Sequence, residues 1–135
     1  MSTRSSIAWQ RPDGKYEAIY CHWDGYINGV GKCLFENYSE SNLPALMALG
    51  DLSELGTEPI DYSAGWDSWT SVPDNRCLSY AARGEDVPSE VYDSKASYAR
   101  HSRQEFNYLF KDGMWYVWRN SVSYIVPLAK YFTKK

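Results

Sequence analysis

A chain of 135 residues with 44% hydrophobic and 16% aromatic content carries enough apolar material for one folded core, so disorder is excluded except for fraying expected at residues 1–6 and 133–135. No stretch approaches the roughly 20 apolar residues that cross a bilayer, and the opening is polar rather than built like a signal peptide, so no membrane association and a cytoplasmic location are expected. A net charge of −3 and a pI near 5.3 argue against direct nucleic-acid binding, which draws its affinity from Lys and Arg on phosphates.

The first predicted element is a β-hairpin of residues 7–11 and 15–23 around Pro12-Asp13-Gly14, where Pro presets one turn dihedral and Gly accepts a positive φ. Strand alternation puts Ala18, Tyr20 and His22 on one face and Ile19, Cys21 and Trp23 on the other. Asp24-Gly25-Tyr26 breaks the strand. Asn28 is placed to cap a helix in which Val30, Leu34 and Tyr38 recur at helical spacing. A second helix is predicted over 43–49, capped by Asn42 and stopped by Gly50, followed by one helical turn over 51–56.

Residues 57–75 read as a long connection with at most a short strand near Trp66 and Trp69. A strand is predicted over 76–83 and a helix over 89–104, with a break near Asp93-Ser94. A second hairpin, residues 106–110 and 114–118 around Lys111-Asp112-Gly113, completes the parts, with a short strand or helix in the tail. The expected fold is α+β: a single small domain with an antiparallel sheet of two hairpins and a middle strand, and helices packed on one face.

Charge is sorted along this chain. Between residues 33 and 75 lie Glu36, Glu40, Asp51, Glu54, Glu58, Asp61, Asp67 and Asp74, with no Lys or Arg. From residue 94 onward the balance reverses, with eight basic residues against Glu105 and Asp112. One reading makes the acidic stretch, with Trp66 and Trp69, a contact for a basic partner surface, because a field of one sign steers association. The other has the two halves neutralise each other, within one molecule or across a homodimer. Arg100, Arg103, Lys111 and Arg119 beside aromatic rings would form the local patch that a nucleic acid needs.

Catalytic patterns are weak. Cys21 and His22 are adjacent on a strand, so their side chains point to opposite faces and cannot form an activating hydrogen bond. Cys77 or Cys21 with His101 remains as a thiol-enzyme alternative, while the three irregularly spaced cysteines fit buried reduced thiols. His22, Asp24 and His101 lack the paired spacing of structural zinc sites, and Gly25, Gly29 and Gly31 match neither dinucleotide nor P-loop fingerprints, so no metal or cofactor is expected. A small-molecule or nucleotide site built from Tyr20, His22, Trp23, Asp24, Tyr26 and Arg83 is the alternative to a protein contact.

The run Tyr20-Cys21-His22-Trp23-Asp24-Gly25-Tyr26, then Gly29-Val30-Gly31, Leu34 and Tyr38, then Leu46-Met47-Ala48-Leu49-Gly50-Asp51-Leu52-Ser53, resembles a family of small bacteriophage and prophage accessory proteins. The likeness extends more loosely through Arg76-Cys77-Leu78-Ser79-Tyr80 and Glu105-Phe106-Asn107-Tyr108-Leu109-Phe110. The family brings no activity with it. The resemblance implies a context, in which such proteins bind and inhibit host machinery, including defence systems such as CRISPR or nucleotide-signalling complexes. The expected function is therefore a non-enzymatic inhibitor that occupies a basic surface of a bacterial protein or ribonucleoprotein complex.

Overall fold

The computed structural model describes residues 3–61, 75–81, 84–85, 87–101, 104–119 and 125–132. Among the described residues eight strands form one mixed sheet: β1 (Ser5–Gln10), β2 (Tyr16–Cys21), β3 (Leu52–Glu54), β4 (Leu78–Ser79), β5 (Glu90–Tyr92), β6 (Phe106–Lys111), β7 (Met114–Arg119) and β8 (Val126–Pro127). Their order is β4-β3-β2-β1-β6-β7-β8, with β5 also paired to β2. The α-helices among the described residues are α1 (Lys32–Asn37), α2 (Leu43–Ala48) and α3 (Lys95–His101). The α+β class expected from the sequence is the observed one.

Both hairpins form, by different turns. At the second, Asp112 (φ 55°) and Gly113 (φ 79°) are both left-handed, the geometry of a two-residue Asp-Gly loop between twisted strands. At the first, Pro12 cannot take a positive φ, so the loop is longer: Gly14 N–H closes on Arg11 O at 2.9 Å and Gly14 alone turns left-handed. The inner strands of the two hairpins, β1 and β6, run parallel, and β2 meets β3 in parallel too, so the sheet is not the antiparallel one expected. Hairpin signals report direction within a hairpin only. The long connection between them sets how they join.

Helices cover both faces of the sheet rather than one. On the first face Ile7, Ile19, Cys21, Tyr108 and Phe110 pack against Val30 and Leu34 from the α1 region and Leu43, Leu46 and Met47 of α2. Each fully buried Leu here stabilises the fold by about 1.5–3 kcal/mol. On the second face Ala8 and Ala18, directly paired across β1 and β2, leave room for the ring of Tyr98 from α3. The Tyr98 hydroxyl meets Ser6 Oγ at 2.6 Å, and Ser6 Oγ donates to Asn107 Oδ1 at 2.8 Å.

Several local expectations change. Ser5 and Ser6 do not fray: they belong to β1, are buried, and are held by β2 on one side and β6 on the other. The helix expected from Asn28 begins earlier, as a π-type turn over Ile27–Gly31 that leads into α1. Asn42 caps no helix with its side chain, which instead accepts from Ser39 N–H at 2.9 Å and donates to Asn37 O at 2.8 Å. Gly50 (φ 77°) ends α2 as expected, but the chain then extends into β3 instead of coiling. Residues 90–92 form β5, leaving α3 to begin after the Asp93-Ser94 break. Of the strand expected over 76–83, β4 comprises Leu78–Ser79.

Candidate functional site

The site grows from the end of β2. His22 N–H and Trp23 N–H continue the ladder onto Leu52 O and Ser53 O at 3.0 and 3.1 Å. Asp24 then takes a left-handed conformation (φ 59°), which an Asp tolerates better than most residues, and reverses the chain. Gly25 is required next: a Cβ there would lie 2.6 Å from Thr3 O. Tyr108 Oη donates to Gly25 O at 2.7 Å and Val30 N–H to Asp24 O at 2.8 Å, so the turn is pinned to the sheet and to the helix it starts.

This turn, α1, and the segment from Glu54 to Thr57 with Arg76 enclose an open cleft of about 410 Å³. Trp23 and Asp24 stand on one side, Lys32, Cys33 and Glu36 on α1 on another, and Glu54 on a third. Trp23 is 41% exposed and Tyr26, whose hydroxyl donates to Asp24 Oδ1 at 3.3 Å, is 44% exposed. The His22 ring meets the Trp23 indole edge-on at 4.9 Å, and Tyr20 Oη lies 2.7 Å from His22 Nδ1. That chain of contacts fixes the indole at the rim.

Charge in the cleft is unbalanced. Among the described residues neither Glu36 nor Glu54 has a hydrogen-bond or ion-pair partner, and Arg76 is drawn to Glu58 at 3.6 Å. Burial, and then the nearby Asp24 carboxylate, hold the Glu54 carboxyl above its usual range. Lys32 is the one cation lining the cleft that has no ion pair among the described residues.

The acidic stretch thus divides by role. Asp51 Oδ1 accepts Tyr20 N–H at 3.0 Å, filling a gap in the β2 ladder between β5 and β3. Asp61 accepts Ser79 N–H at 2.9 Å and also the Ser79 hydroxyl. Glu58 pairs with Arg76. Glu40 is exposed on a separate groove beside Phe35 and Met114. Among the described members of the stretch only Glu36 and Glu54 face the cleft, joined there by Trp23 and Asp24 from the alternative ligand set. Trp66, Asp67, Trp69, Asp74 and Arg83 lie outside the described residues. Lys32, Cys33 and Arg76 line the cleft without having been singled out as contacts, since Lys32 precedes the cation-free stretch by one position and Arg76 follows it by one.

Neutralisation between the two halves does not occur through ion pairs among the described residues, whose pairs are local or join other segments. Of the expected basic patch, Arg103 lies outside the described residues and two other members stand apart. Lys111 and Arg119 occupy opposite faces and opposite ends of the second hairpin; Lys111 Nζ meets Asp112 at 3.0 Å, and Arg119 stacks over Phe106 at 4.6 Å.

The thiols are sequestered. Burial pushes Cys21 well up from the ordinary thiol range, Cys33 up to about 12 and Cys77 upward as well, so none is poised as a thiolate. Cys33 Sγ donates to Gly56 O at 3.4 Å, and Gly56 N–H donates to Cys77 Sγ at 3.3 Å. Cys21 is buried in the core of the first face while the His22 ring meets Tyr20 Oη, from the alternate side of β2, and the side chain of His101 lies outside the described residues. Among the described residues no group of three or more His, Cys, Asp or Glu could hold a metal ion, and no helix is long and apolar enough to cross a membrane. Comparisons with protein-family models, curated proteins and solved structures give no match.

Proposed function

We propose that this chain is a non-catalytic binding protein of phage or prophage origin that inhibits a bacterial defence or host complex by occupying a basic surface, with the cleft at Trp23, Asp24, Glu36 and Glu54 as its contact. The observation that carries the reading is the convergence of Glu36 and Glu54, unpaired among the described residues, with Asp24 beside an exposed indole. Exposed aromatic side chains next to charge are the usual anchors of protein interfaces, and a field of one sign selects partners of the other. With Arg76 drawn to Glu58, the three carboxylates outnumber Lys32 in the lining, and that negative balance disfavours phosphate and sets this reading above a nucleotide site. The phage context comes from the sequence resemblance.

The test is capture from a bacterial lysate followed by identification of the bound protein and measurement of its binding in purified form. The partner should present a basic surface, and its affinity should fall steeply between about 50 and 300 mM salt as charges are screened. The double variant E36K/E54K should lose binding while its unfolding curve stays that of the parent. Undiminished binding by that variant would overturn the proposal.

A further inference from the structure

The cleft, whose three carboxylates outnumber Lys32 and the Glu58-paired Arg76, has three further properties. Its rim carries a flat aromatic surface, the Trp23 indole, held in place by the edge-on ring of His22. Its carboxylates come from separate elements: Asp24 from the turn after β2, Glu36 from α1 and Glu54 from β3. And at about 410 Å³ it has room for one long side chain with its water, but not for a helix or strand of a partner.

A lysine ammonium is a compact, strongly hydrated charge that gains little from a flat ring face. A guanidinium is planar, stacks on an indole, and offers five donors in a fixed fork to carboxylates that approach from different sides. Burial and the neighbouring Asp24 carboxylate raise the cost of ionising Glu54, and a bound cation offsets that cost. Resting on the binding reading above, we propose that the cleft receives a single arginine side chain of the partner, its guanidinium stacked on Trp23 and paired with Glu54 and a neighbouring carboxylate.

The experiment uses the intact chain and three short acetylated, amidated peptides, Gly-Arg-Gly, Gly-Lys-Gly and Gly-citrulline-Gly, at low salt. Binding is followed by the NMR indole N–H signal of Trp23, assigned by its loss in Trp23→Phe. The arginine peptide should shift that signal saturably, the lysine peptide should bind about fivefold or more weakly, and the neutral citrulline peptide, which keeps the planar shape, should not bind. Glu54→Gln, half-buried and unpaired among the described residues, should weaken the arginine peptide about tenfold with no loss of stability, since it removes a carboxylate whose ionisation burial and Asp24 disfavour. Absence of a saturable shift with the arginine peptide, or equal binding of lysine or citrulline, overturns the inference. The two proposals fail separately: loss of partner binding in E36K/E54K with no arginine preference leaves the binding reading standing and removes the arginine, whereas undiminished partner binding removes the binding reading itself.

Discussion

Asp51 separates a structural carboxylate from a contact one, and its substitution has a calculable outcome. Its Oδ1 accepts Tyr20 N–H at 3.0 Å, on the edge of β2 away from β1, at a place between the β5 and β3 pairings where no strand lies opposite. Asp51→Ala leaves that half-buried N–H without an acceptor, a loss of about 1–3 kcal/mol. Asp51→Asn keeps an acceptor oxygen and removes a charge whose carboxyl is held above its usual value of 3.8 by burial, partly offset by the Tyr20 hydrogen bond and reinforced by Glu90. Because the folded form holds the Asp51 proton more tightly than the unfolded chain does, this group favours folding at acidic pH. Its penalty grows as pH rises above the unfolded value and is complete once pH passes the folded one. Asn therefore should gain stability relative to the parent as pH rises through that window, and at neutral pH should exceed Ala by about 1–2 kcal/mol. Urea unfolding of the three proteins between about pH 3 and 7 reads these differences directly. Equal stability of the Ala and Asn variants across that range would refute the role assigned to the ladder gap. Neither substitution is expected to alter partner binding.

Three further outcomes follow from the packing. Gly56→Ala should destabilise by about 1–3 kcal/mol or more in thermal unfolding, because a Cβ there would overlap the Arg76 backbone, which has no flexible end to yield. Ser5→Ala should be neutral or stabilising by up to about 1 kcal/mol in the same assay, since Ser5 Oγ is buried with no hydrogen-bond partner among the described residues. In the native protein at about pH 8 all three thiols should react slowly with iodoacetamide, and only unfolding should bring them to the rate of a free cysteine; rapid native labelling of Cys33 would contradict the burial that raises it to about 12.

Much of the fold was legible wherever a local pattern carries the physics. The Asp112-Gly113 turn, the alternation of Phe106, Tyr108 and Phe110, and the Gly50 stop each depend on a few adjacent residues, and each is where the sequence places it. β3 and β5 were not legible, because three-residue strands have no periodicity of their own and exist through β2. The parallel pairing of β1 with β6 was hidden for a related reason: about a hundred residues separate Ser5 from Phe106, and no local signal spans them.

For the site, composition exposed the acidic stretch but could not sort it. Asp51 and Asp61 look like Glu36 and Glu54 in sequence, yet the first two bond to Tyr20 and Ser79 while the latter face the cleft. Trp23 and Asp24 were assigned to a different ligand set because they lie outside the acidic stretch, and only the turn of the chain after β2 brings them beside it.

The most direct test of that sorting compares two variants of identical charge change, Glu54→Lys in the cleft and Glu40→Lys on the separate groove, in salt-dependent binding to the captured partner. Glu54→Lys should lose most of the affinity and Glu40→Lys should keep nearly all of it. Equal losses in the two would show that acidity acts through the whole surface rather than through the cleft, and would contradict the account.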